Sequence, residues 1–250
     1  MNNRFLFSLA IMACIVLNAS AQFSNSGSSN TTVSDNKGWT SLYLQYNNIG
    51  VSHDKITDSD YKEMGLSETM NGVTLGVNQA FNIVPSIPLY LEAGLGVQFA
   101  LYSDNYSDHY SNYYGQDYDL KYDYKGHILS AKVPLNILYR YSIPNTSIAI
   151  EPLLGIDLRI NILGKLKENR TLYVDGVKEK AQDSEINPFK KDDMNNEPLK
   201  RFQTGWHIGA NVAFNKVFLG LQYGSDFSKI HDDVYNPKLR TFTVSLGTRF

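Results

Sequence analysis

The chain has 250 residues, with 23 basic and 25 acidic side chains and a formal net charge of −2. That length allows one large all-β domain or two small ones, and the near-neutral balance leaves no basic footprint for nucleic acid. Mean hydropathy is −0.30, an average that conceals how strictly apolar and polar residues are segregated.

Residues 1–21 read as a secretory signal peptide. Arg4 gives a short positive start, Phe5–Leu17 is an apolar run, and Ala19-Ser20-Ala21 is an A-x-A cleavage pattern. The run is too short for a spanning helix. Cys14 raises an alternative, a lipid anchor, because Ile11-Met12-Ala13-Cys14 loosely resembles a lipoprotein box; against it, Ile15, Val16 and Leu17 continue the apolar run. Cleavage after Ala21 leaves 22 basic and 25 acidic side chains and removes the only cysteine. Stability then has to come from packing and backbone pairing, without a disulfide. Residues 22–38, QFSNSGSSNTTVSDNKG, offer almost nothing to bury and are expected to form a flexible periplasmic leader. Beyond it there are no 18 consecutive apolar residues, so no transmembrane helix is expected.

Residues 39–250 alternate with a period of two. Eight strands are predicted, at about 39–47, 71–81, 89–101, 126–141, 147–160, 202–214, 217–228 and 239–250. The connections after strands two, four and six are short, NIVPSIP, SIPNT and NK. Those after one, three, five and seven are long, about 48–70, 102–125, 161–201 and 229–238. Short turns at one end and long loops at the other describe an up-and-down antiparallel barrel with both termini at the short-turn end.

The distribution of bulk decides which face meets which medium. In 89–101 one face reads Leu89, Leu91, Ala93, Leu95, Val97, Phe99, Leu101, and the other Tyr90, Glu92, Gly94, Gly96, Gln98, Ala100. Strand 202–214 sets Phe202, Trp206, Ile208, Val212 and Phe214 against Gly205, His207, Gly209 and Asn211. With the bulky face inward, the outer wall would be glycine and alanine, with few charges to hold it in water. With that face outward, glycine and polar groups fill a narrow eight-stranded lumen, and a closed even-numbered ring leaves no backbone unpaired in hydrocarbon. The expected fold is therefore an eight-stranded transmembrane β-barrel of a Gram-negative outer membrane, multi-pass, with both termini periplasmic. Pro134 and Pro152 fall inside strands four and five, where a β-bulge or kink is expected.

The signal peptide, LYLEAGLGVQF (89–99), IAIEPLLGIDLRINIL (148–163), VFLGLQYGSDFSKI (217–230) and the closing TFTVSLGTRF together resemble the outer-membrane β-barrel family of Bacteroidota that includes PorT-like and "porin family" proteins. The resemblance covers about residues 39–250 and implies an outer-membrane location and a barrel, with no catalytic signature. Phe242, Val244, Leu246 and Phe250 resemble the C-terminal signal by which the barrel-assembly machinery recognises such proteins.

Alternation points Glu92, Lys132, Arg140, Glu151, Asp157, Arg159 and Arg249 into the lumen, with Lys132 and Asp157 paired near mid-barrel. Unpaired charges there would be costly, so an ion-pair network plugging the lumen is expected; a gate passing small ions is the sharper alternative. The 102–125 loop carries eight tyrosines. Tyrosine gives a large amphipathic contact surface at low entropic cost, so Tyr106, Tyr110, Tyr113, Tyr114 and Tyr118 are the expected recognition surface for an extracellular or envelope protein partner. The competing reading has strands three and four continue through it. Asp117, Asp119 and Asp123 lack the EF-hand glycine spacing of a calcium loop, and no metal is expected. Asp175-Gly176 in 161–201 is a hairpin turn signal. For catalysis at the rim on lipid or peptide, the candidates are His127 with Ser130, His207, Asp226 and the run His231-Asp232-Asp233; none matches a family motif. No cofactor fingerprint is present. The expected role is structural or interactive, in contact with outer-membrane lipid, with a rim enzyme or a narrow channel as the alternatives.

Overall fold

The computed structural model describes residues 38–52, 69–191, 198–230 and 238–250. The expected signal peptide, the leader apart from Gly38, and His231, Asp232 and Asp233 lie outside these residues.

The strands are β1 (Thr40–Ser52), β2 (Thr69–Asn82), β3 (Leu89–Ser111), β4 (Asp117–Tyr139), β5 (Tyr141–Ser142), β6 (Ile148–Val174), β7 (Val177–Ile186), β8 (Phe202–Phe214), β9 (Val217–Asp226) and β10 (Lys238–Arg249). Neighbours run β4-β3-β2-β1-β10-β9-β8-β6, and a β4–β6 pairing closes the ring. The result is an eight-stranded antiparallel barrel, with β5 prolonging the line of β4 and β7 folding back on β6. Following the register from Thr40 through Gln79, Ala93, Leu135, Ile156, Trp206, Ser225 and Arg240 returns to β1 at Gly50, ten residues from the start. That stagger tilts the strands strongly against the barrel axis.

Bulk lies outside. Leu95, Ile208 and Leu246 are between 53 % and 55 % exposed, while the glycines and polar residues between them face the lumen. No outward position from Leu89 to Leu101, from Leu129 to Tyr139, from Ile148 to Ile162 or from Phe242 to Phe250 carries a charge. From Leu89 to Leu101, at roughly 3.3 Å per residue and a tilt of about 40°, this belt is roughly 30 Å tall. At its lower margin, by the short turns, sit exposed Phe81, Tyr139, Tyr141, Phe214 and Phe250.

The two prolines behave differently from the expectation of a bulge. Pro134 pairs with Asp157 and Pro152 with Ala210 without a slip. Each instead interrupts one ladder in register. β3–β4 pairing stops after Ala93–Leu135 and resumes at Gly96–Lys132. Pairing of β6 stops after Leu138–Leu153 and resumes at Tyr141–Ile150, which is why β5 is separate from β4. A proline has no N–H to donate, so each ladder opens at the proline while its register continues on either side; below the gap at Pro152, Arg140 N–H still donates to Pro88 O at 2.8 Å, in line with the β3–β4 register. The bulge in this region lies nearer the other end, at Leu129/Ser130 opposite Asn161 and Leu163. It leaves both Ile162 and Leu163 outward and exposed, and reverses which parity of β6 faces in.

The segment expected as the 102–125 loop is corrected by the structure. β3 runs on to Ser111 and β4 begins at Asp117, with continuous pairing from Tyr102–Gly126 to Ser111–Asp117. Ser, Asn, Tyr and Asp alternate there without an apolar face, yet the strands continue because their backbones pair. β6 and β7 extend the same sheet through a turn at Asp175 (φ 48°) and Gly176 (φ 78°), the two positive-φ residues of a type I′ hairpin.

Candidate functional site

The lumen is organised in tiers because inward residues of adjacent strands are brought level by the stagger. Lowest, by the short turns, Glu151 on β6 is fully buried and binds two arginines. Arg140 donates from Nη1 to its Oε1 at 2.5 Å, and Arg249 donates from Nη1 and Nη2 to both its oxygens. Both guanidinium groups lie over the Trp39 ring, 5.5 Å and 4.5 Å from its centroid. Trp39 in turn packs on Tyr90 in a cluster with Ala80, Leu138 and Leu153.

The next tier joins six side chains. Lys132 Nζ lies 3.2 Å from Asp157. The His207 ring nitrogens lie 2.9 Å from Asp157 and 2.6 Å from Asn136 Oδ1. Asn136 also donates to Glu92 at 2.8 Å, as Asn78 does at 2.9 Å. Glu92 thus differs from the expected ion-pair partner: it is held by two amides, because the register sets Asn136 opposite it on β4. Tyr43 reaches across this level on the flat floor that Gly76 and Gly96 provide. A Cβ on Gly76 would collide with the Tyr43 hydroxyl.

Higher still, Arg159 donates to Asp226 at 2.6 Å and to Gln203 at 2.5 Å. Around it, Asn47 donates to Thr74 and accepts from Thr243. Two cavities of about 20 Å³ lie along the mid-lumen, each room for roughly one water. Of the seven charges expected inside, Lys132–Asp157, Arg140–Glu151 and Arg249–Glu151 are brought together directly. Asp226, His207, Trp39 and the amides of Asn78, Asn136 and Gln203 were not anticipated as members. For Asp226 the signal was its inward parity on β9.

The rim candidates for catalysis separate. His127 faces outward against the Phe99 ring at 5.8 Å, whereas Ser130 faces inward and donates to Asn161. His207 has no serine among its hydrogen-bond partners, and Asp226 is taken by Arg159. On the extended sheet His109 meets Asp119 at 2.6 Å, and this contact raises the His109 pKa. Ser111 donates to Asp117. Among the described residues no group of three or more His, Cys, Asp or Glu side chains could hold a metal.

The expected recognition tyrosines fall in two places. Tyr106 pairs with Tyr122 and Tyr110 stacks on Tyr118, with centroids 5.9 and 5.0 Å apart. By unbroken parity through β3 and β4 their face continues the lumen side of the barrel. Tyr113 and Tyr114 sit in the connecting turn, 98 % and 87 % exposed. Phe242, Val244, Leu246 and Phe250 all point outward.

No family model matches the chain, and no curated protein matches it, so the resemblance to the Bacteroidota barrel family rests on strand pattern alone. Among solved structures, Neisserial surface protein A aligns with 84 % of this chain and 97 % of its own, at 11 % identity and a TM-score of 0.35. Ail, the attachment invasion locus protein of Yersinia pestis, aligns with 86 % and 99 %, at 17 % identity and 0.31. A major outer membrane protein from Thermus thermophilus aligns with 84 % and 99 %, at 13 % identity and 0.33. The TM-scores stay below 0.5, so nothing about activity passes from these proteins to this chain.

Proposed function

We propose that the chain is an integral outer-membrane β-barrel with a lumen closed by its own side chains, acting through the sheet that rises beyond the barrel. The observation that carries this is the charge-free apolar belt on the outer wall of a closed ring. Its height of roughly 30 Å matches the hydrocarbon core of a bilayer, and closure of the ring leaves no open sheet edge facing lipid. A soluble barrel of this size would put that surface in water, far beyond the patch a monomer exposes. In this reading the short-turn end, with Trp39 and Phe250, is periplasmic, and the β3–β4 and β6–β7 hairpins are extracellular. Their half-buried tyrosine pairs and the exposed Tyr113 and Tyr114 offer the contact surface for a protein partner. The tiers of paired charges and amides close the lumen to ions.

Planar-bilayer recording tests the closed lumen. Wild type and Lys132→Ala should both show negligible conductance; ion-sized steps in the variant would make the network a gate. The membrane assignment is tested by preparing the chain from residue 22 onward without detergent. Aggregation is expected, and a stable monomer in plain buffer would refute the assignment.

A further inference from the structure

Near the long-loop end the lumen changes character. Ile49, Met70, Ile128 and Leu239 replace the charges found lower down, and Leu199 and Ile230 lie over them from the connecting segments. They line a half-open cavity of about 220 Å³. Its deeper wall is polar, formed by Gln98, Ser130, Arg159, Asn161 and Gln203. Most of these are already engaged: Ser130 donates to Asn161, Asn161 donates to Lys200 O, and Arg159 donates to Gln203 and Asp226. Gln98 is the exception. It is 3 % exposed, and its side-chain amide has no hydrogen-bond partner among the described residues. Its amide borders the open space of the cavity, where the polar group of a ligand can reach it.

We propose that this mouth cavity binds a small uncharged amphiphile, with an alkyl or alicyclic body of about six to eight carbons and one hydroxyl or carbonyl group that meets Gln98. The size follows from comparison: an apolar cavity of about 150 Å³ holds benzene, so this one takes a slightly larger body. The absence of charge follows from Arg159, whose guanidinium is neutralised by Asp226 and so offers no free cation to a carboxylate. The amide of Gln98 supplies a donor and an acceptor together, which a hydroxyl matches. Polar floor and aliphatic upper wall orient the ligand with its polar group inward. The site depends on the inward face of the barrel and holds whichever partner the outer sheet engages.

The test uses the chain from residue 22 onward in lipid nanodiscs, where detergent does not compete, with ¹³C-labelled isoleucine δ1 methyls and cyclohexanol as the probe. Saturable shifts are expected at Ile49, Ile128 and Ile230. Outward Ile137 and Ile208 should drift linearly, as the bilayer takes up the alcohol. Ala100→Phe fills the cavity and should abolish saturation. Gln98→Leu should weaken cyclohexanol about fivefold, the loss of one hydrogen bond, and leave methylcyclohexane unchanged. Linear shifts everywhere, or saturation that survives Ala100→Phe, would overturn the proposal. Should Ala100→Phe fail to fold, equal weakening of both probes by Gln98→Leu would still overturn it.

Discussion

Glu151→Gln keeps the shape of the side chain and one acceptor oxygen, so what it removes is the negative charge. Glu151 is 0 % exposed and the arginines it binds, Arg140 and Arg249, are 8 % and 1 % exposed. The variant leaves the cluster with an excess positive charge and no route to water. Breaking a buried ion pair in this way costs about 3–5 kcal/mol, a large part of the roughly 5–15 kcal/mol that holds a domain together. Arg249→Met should cost less, because Glu151 keeps Arg140, and Arg140→Met least, because Arg249 still binds both carboxylate oxygens. The triple variant Glu151→Gln, Arg140→Met, Arg249→Met should recover to within about 2 kcal/mol of wild type, since an apolar replacement of a buried ion cluster is often neutral. Urea unfolding in phospholipid vesicles measures this, with Trp39 emission reporting the cluster and Trp206 the outer wall. A Glu151→Gln midpoint equivalent to less than about 1 kcal/mol of destabilisation, or a triple variant weaker than the single one, would refute the electrostatic account.

Leu95→Arg places a charge midway up the outer belt and should cost about 2–4 kcal/mol in vesicle unfolding; a change within about 0.5 kcal/mol is what a water-facing site would give. Gly76→Val puts a Cβ against the Tyr43 hydroxyl and 2.8 Å from Leu95 O, and should cost about 1–3 kcal/mol by overpacking; an unchanged unfolding midpoint would mean Tyr43 does not occupy that seat. His109 gains Asp119 as a hydrogen-bond partner, which raises its pKa above the ordinary 6.5. Their contact is therefore fully present below pH 6.5 and is lost as pH climbs through the raised value. A histidine NMR titration should show the elevation and Asp119→Asn should remove it; identical titrations would show that the two side chains do not meet.

Strand alternation made the barrel and its inverted polarity legible, because Leu95, Ile208 and Leu246 are each preceded two residues earlier by another apolar group, Ala93, Trp206 and Val244. Charges inside were legible for the same reason. Their partners were legible only where they sit nearly opposite on adjacent strands, as Lys132 and Asp157 do. Arg159 reaches Asp226 across β8, a neighbour-but-one contact that depends on the ten-residue stagger, which local pattern does not encode. The extension of β3 and β4 was hidden because Ser103, Asn105, Ser107 and His109 alternate with Asp104, Tyr106, Asp108 and Tyr110, so both faces are polar and a hydrophobic period is absent. The prolines misled in the other direction. A missing N–H suggests a bulge, yet Pro134 and Pro152 each leave one ladder open and keep the register.

Collision accessibility of spin labels gives the most direct test of which medium the bulky faces meet. Cys14, the only native cysteine, lies in the expected signal peptide, so single cysteines at Leu95, Ile208, Leu246 and Tyr113 can each be labelled cleanly in the chain from residue 22 onward, reconstituted in bilayers. Oxygen, which concentrates in hydrocarbon, should outcompete a water-soluble nickel chelate at the first three positions, with the reverse at Tyr113. Nickel access at Leu95, Ile208 and Leu246, or labels there that neither reagent reaches, would contradict a lipid-facing wall.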